Sequence, residues 1–185
     1  MNEKTLKNLR SRTDAKLRYA EIHLDELKSV GVIGGSDFDR AHQEAFLFQL
    51  LGAKEAFLIE LNAYYELSLP NIGLTVGKLR KSLKEQGKHS PELAKLFSLE
   101  RDEDSWLSQA KVMRDYSTHV SGIIHKFHLG RSAHQQVWLR NPTTGKYIEI
   151  HFPEIFLSWH VKMKDLLDNL RASAIESLRT EISST

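Results

Sequence analysis

Apolar residues along this chain recur mostly three and four positions apart, the spacing that places them on one face of an α-helix. Leu6, Leu9, Leu17, Ile22, Leu24 and Leu27 mark a first helix from about Glu3 to Ser29, stopped by Gly31 and the Gly34-Gly35 pair. Ser36 followed three residues later by Asp39 has the form of an N-terminal cap. It opens a second helix running to about Leu67. Apolar residues fall on more than one side of this helix, among them Phe46, Leu47, Leu50, Phe57, Ile59 and Leu61. A helix apolar nearly all round is buried or pairs on two faces, so this one is expected at the centre, and as a candidate dimer contact.

A third helix is expected over about Ile72–Gln86, and a short helical turn over Pro91–Phe97. The fourth helix is expected from near Asp104 to about Leu129. Trp106, Ala110, Met113, Ser117, Val120, Ile124 and Phe127 form its core stripe, and Gly130 stops it. The period then shortens to two. Gln136–Arg140 and Lys146–His151 flank the turn-forming Asn141-Pro142-Thr143-Thr144-Gly145, which predicts a β-hairpin over about 136–151. Pro153 begins a last helix through about Ile175. The expected fold is all-α: an up-and-down helical bundle of about five helices in one domain, 1–185, with a small β-hairpin before the last helix.

Composition narrows the classes. The 185 residues are 41% hydrophobic and 27% charged, ordinary for one globular domain. The formal net charge of +2 carries no bulk nucleic-acid signature. A local basic run, Lys78, Arg80, Lys81, Lys84 and Lys88, is a candidate RNA-steering face, and Lys78 and Lys81 are its candidate substrate contacts. The plainer reading of such a run is a solvated helix face. Cysteine is absent, which excludes disulfides, thiolate metal sites and a cysteine nucleophile. No apolar leader core and no stretch near the ~20 apolar residues of a membrane span is found. A cytoplasmic, prokaryotic setting is expected, with no membrane partner. His125 and His128, three apart on the expected fourth helix, with His134 soon after, lack a matching acidic ligand, so no metal site and no cofactor is expected.

The segment with chemical content is Arg114-Asp115-Tyr116-Ser117-Thr118-His119. Asp115 and His119 are four apart, neighbours on one helix face. A carboxylate beside an imidazole fixes its tautomer and raises its pKa toward neutrality, where acid–base work is done. Arg114 and His119 are about 140° apart around the axis, at roughly 100° per residue. A guanidinium fork holds phosphate oxygens well. Tyr116 and Thr118 are candidate substrate contacts beside them.

An arginine, a polar residue, three more residues and a histidine resemble the active motif of HEPN-type ribonucleases, and the helical architecture resembles theirs across most of the chain. That resemblance implies metal-independent cleavage of RNA. His119 would assist the ribose 2′-hydroxyl, Arg114 would steady the scissile phosphate and Asp115 would orient His119. It also implies a homodimer whose two motifs face each other, and a place in toxin–antitoxin or phage-defence systems with an antitoxin or regulatory partner. Some members of that family are inactive scaffolds, so the alternative reading is a non-catalytic helical interaction module. One subgroup carries tyrosine two residues after the histidine, where this chain has Ser121. The segment Arg18–His23 has similar spacing but lacks the polar residue after arginine.

Overall fold

Helices α1 (Glu3–Ser29) and α2 (Asp37–Tyr64) lie antiparallel along each other and form the main packed pair. Side-chain pairs run down their length: Arg10 with Tyr64, Lys16 with Gln49, His23 with His42. These coordinates are a computed structural model, which describes residues 3–29, 36–119, 125–127, 137–141, 143–148 and 153–183. Helix α2 begins on the Ser36 cap. The Ser36 hydroxyl accepts from the Asp39 amide at 3.1 Å, and the Asp39 carboxylate accepts from the Ser36 amide.

Helices α3 (Val76–Glu85), α4 (Pro91–Arg101), α5 (Trp106–His119) and α6 (Glu154–Ser183) complete the set, six among the described residues rather than about five. Helix α3 starts at Val76, not near Ile72. Gly73 turns the chain through a left-handed conformation (φ +66°), and the Thr75 hydroxyl caps the Lys78 amide. Ile72 is left 94% exposed. The expected turn at Pro91–Phe97 is a full helix to Arg101, capped by Ser90 with Pro91 in its first turn.

The larger departure is in the fourth expected helix, which is helical over Trp106–His119 and does not run unbroken to Leu129. His125–Phe127 is a strand, β1, paired antiparallel to β2 (Val137–Arg140), with His125 opposite Leu139 and Phe127 opposite Val137. On the other edge of β2 lies β3 (Tyr147–Ile148), with Leu139 opposite Ile148. Between β2 and β3, Asn141 receives the Thr143 and Thr144 amides on its side chain and bonds Lys146 and Gly145 through its backbone. The apolar spacing through Phe127 suits a helix, but pairing with Val137–Leu139 supplies hydrogen bonds that no local window reveals. The helical spacing assumed for His125 and His128 therefore fails at His125. Val120, Ile124, His128, His134 and Gln136 lie outside the described residues, as do 149–152.

Helix α6 closes the core. Its Phe156 ring stacks on Phe46 of α2, centroids 4.5 Å apart, and on Trp159. Ile155, Trp159, Met163, Leu167 and Leu170 join Leu24, Leu47, Leu50, Leu58, Leu107, Ala110 and Met113 in one buried cluster. Trp106 packs against it from the side. Arg171 ties three helices. It holds Glu60 of α2 through two nitrogens at 2.9 and 3.1 Å, and Asp14 of α1 at 2.8 Å. Among the described residues no helix is long and apolar enough to cross a membrane.

Candidate functional site

The residues on α2 that the core does not use define the site. Phe48, Gly52, Glu55 and Ile59 recur at four, three and four positions, one stripe of the helix. That stripe is the floor of a groove of about 570 Å³. Arg12 and Lys16 of α1 line one side, Lys111 and Arg114 of α5 the other, and Asn71, Gly73, Leu74 and Thr75 close one end. Lys16 reaches over Gly52, where an added methyl carbon would sit 3.4 Å from its stem. Its ammonium donates to Gln49 at 2.8 Å and lies 5.4 Å from the centre of the Phe48 ring. The Lys16 side chain thus crosses the floor of the groove at Gly52.

Five cations line this groove: Arg12, Lys16, Lys54, Lys111 and Arg114. Two are paired within it. Lys54 holds Glu100 at 2.6 Å. Arg114 donates through Nε to Asp115 at 3.0 Å and through Nη1 to Glu55 at 3.1 Å. Burial alone would lower the pKa of Arg114, but its bonds to Asp115 and Glu55 outweigh that and raise it. Arg12, Lys16 and Lys111 have no carboxylate partner among the described residues.

The motif residues are placed as follows. Arg114 faces the groove. Asp115 holds Arg114 on the same helix through one carboxylate oxygen, with Nε at 3.0 Å and Nη2 at 2.9 Å. Tyr116 is half-buried. Thr118 and Ser117 both turn their hydroxyls onto the Arg114 carbonyl, at 2.8 and 2.9 Å, so neither hydroxyl donor points outward. His119 is the last residue of α5, and its side chain lies outside the described residues.

The basic run on α3 divides in two. Lys78 bends back to donate to the Gly73 carbonyl at 2.6 Å, beside the groove's closed end. Lys81, with Arg80, Lys84, Lys88 and His89, borders a separate depression between α3 and α4. Lys81 is 3.9 Å from Glu85, a loose exposed pair. Arg80 lies over the Phe97 ring at 4.1 Å. The second arginine–histidine spacing, Arg18 and His23, does not converge. Arg18 borders the α1–α6 surface, while His23 contacts His42, Nδ1 to Nδ1 at 3.2 Å.

Sequence reasoning missed Arg12, Lys16, Phe48 and Lys111. The signal was present in part, since Phe48, Gly52, Glu55 and Ile59 share a helical stripe interrupted by glycine and glutamate. Which neighbours face that stripe is a tertiary fact. The chain belongs to a family of unknown function, DUF6586, whose profile matches residues 7–177. No curated protein and no solved structure matches it.

Proposed function

We propose that this member of the DUF6586 family is a HEPN-like, metal-independent endoribonuclease that binds RNA in the α1–α2–α5 groove and acts as a homodimer. The observation that carries the reading is Arg114 in a groove lined by four further cations from three helices, at the start of the Arg114–His119 motif. Arg12, Lys16 and Lys111 attract the phosphate backbone. Arg114 takes the scissile phosphate by exchanging a carboxylate for the phosphate oxygens, either of which its fork can hold with two parallel hydrogen bonds. His119, about 140° round the helix from Arg114, serves as acid–base group on the phosphodiester held by Arg114 of the other subunit. The ribose 2′-oxygen attacks phosphorus as His119 removes its proton. The 5′-oxygen leaves and takes up the proton that His119 removed, which returns the imidazole to its neutral form, and a 2′,3′-cyclic phosphate remains.

A second reading has its own support. Arg114 already holds two carboxylates, which suits a structural ion pair in a non-catalytic helical module that works through a protein or antitoxin-like partner. Incubation of RNA with the wild-type chain and with His119→Ala and Arg114→Ala in EDTA separates the two. The nuclease reading expects cyclic-phosphate-ended fragments from the wild type and at least ~10²-fold slower cleavage from each variant. Equal cleavage by wild type and His119→Ala, or intact RNA throughout, leaves only the module.

A further inference from the structure

A solvent-facing phenylalanine stands among these cations. Phe48 is 59% exposed on a helix whose neighbouring Phe46, Leu47, Leu50 and Leu51 are all buried. It belongs to the groove stripe, and no other aromatic ring stacks on it among the described residues. Lys16 sits 5.4 Å from its centre, anchored by Gln49, and Arg12 lies one turn earlier on the same side of the groove. An exposed ring flanked by a track of unpaired cations is the pairing of features that takes single strands: the cations follow the phosphates, and the ring receives a base face. A double helix offers no base face at that position, because its bases are stacked on one another and turned inward.

Resting on the RNA reading above, we propose that the groove selects single-stranded RNA, with Phe48 as the platform for one unpaired base while Arg12, Lys16 and Lys111 follow the adjoining phosphates. The groove's volume of about 570 Å³ is of nucleotide scale. Lys16 contributes twice, as a phosphate partner and as a cation beside the ring that positions the stack. Because Phe48 is not part of the core, its replacement changes the surface and not the fold.

The test measures binding of fluorescent 2′-O-methyl oligoadenylate, whose blocked 2′-oxygen cannot attack the phosphate, against the matching duplex and inorganic polyphosphate. The wild type is expected to prefer the single strand. Phe48→Ala is expected to weaken single-strand binding roughly tenfold or more, the scale of one lost base stack, and to leave polyphosphate binding unchanged. Phe48→Trp restores the affinity, whereas Phe48→Leu, apolar but without a ring, does not. Equal affinity of wild type and Phe48→Ala overturns the proposal, as does a duplex bound as tightly as the single strand. A fall in oligomer mass on Phe48→Ala with RNA affinity retained assigns the ring to a contact with a second copy and overturns it as well. A wild type that binds polyphosphate but no RNA removes the RNA reading along with the platform. Phe48-dependent binding without cleavage in EDTA removes the nuclease alone and keeps the platform.

Discussion

Two arginines, each held by carboxylates from more than one helix, play different parts. Arg171 is a structural tie: its side chain is 16% exposed, and its Glu60 partner 2%. Burial alone would lower the pKa of Arg171, yet Glu60 and Asp14 together raise it. Removing such a charge strands the other inside the protein, which costs more than the pair itself contributes. Arg171→Met is therefore expected to destabilise the chain by about 3–5 kcal/mol in urea titration. Restoring neutrality with Glu60→Gln in the same chain is expected to recover part of that loss, and a double variant no better than the single one would show that Glu60 is not the stranded charge. Arg114 is more open and its partners Glu55 and Asp115 are 56% and 45% exposed, so its ion pairs are weak enough to exchange with a ligand. At this scale the sequence identified Arg114 and its motif. It placed Asp115 four residues from His119, on one helix face; the fold adds that one Asp115 carboxylate oxygen accepts from Arg114, which Glu55 also holds from another helix.

At the scale of elements, local chemistry explains where helices begin and long-range pairing explains where one ends. Ser36, Thr75 and Ser90 each cap a helix through the hydroxyl, and only the first was picked out by its spacing to Asp39. The apolar stripe of α5 continues beyond His119 in the sequence, yet His125–Phe127, within that stripe, pairs with β2 as a strand. The α1–α2 pair carries a pH-sensitive contact between His23 and His42. Burial, and then the proximity of His42, lower the pKa of His23 below 6.5, with Glu26 opposing them. A histidine depressed in the folded state prefers to be neutral there. Its contribution is present above 6.5, the value it regains on unfolding, and is lost as pH falls through the lower folded value. Thermal melts taken from neutral pH down to about 5 are expected to show the wild type losing stability faster than His23→Gln. Parallel curves would exclude the imidazole pair as the cause.

For the whole molecule, a net charge of +2 understates the local field, because five cations and only two carboxylates, Glu55 and Glu100, line one groove. If Arg12, Lys16 and Lys111 each neutralise a phosphate, the logarithm of RNA affinity falls against log salt with a slope of about −2, at roughly −0.7 per phosphate on single strands. Lys111→Gln is expected to flatten the slope by about 0.7, and an unchanged slope would place the RNA elsewhere, with the α3–α4 basic depression next to be tested. By itself the sequence determined that the chain is mostly helical, that its helices carry apolar residues at helical spacing, and that one segment carries an arginine, a carboxylate and a histidine in helical order. These follow from the 3.6-residue period and from caps, which depend only on near neighbours. Tertiary structure alone decided that α1 and α5 flank the same stripe of α2, that Lys16 passes over Gly52, that Phe48 faces water among cations, and that His125–Phe127 is a strand. Each of those depends on groups far apart along the chain being brought to within a few ångströms, a distance that hydrophobic spacing cannot encode.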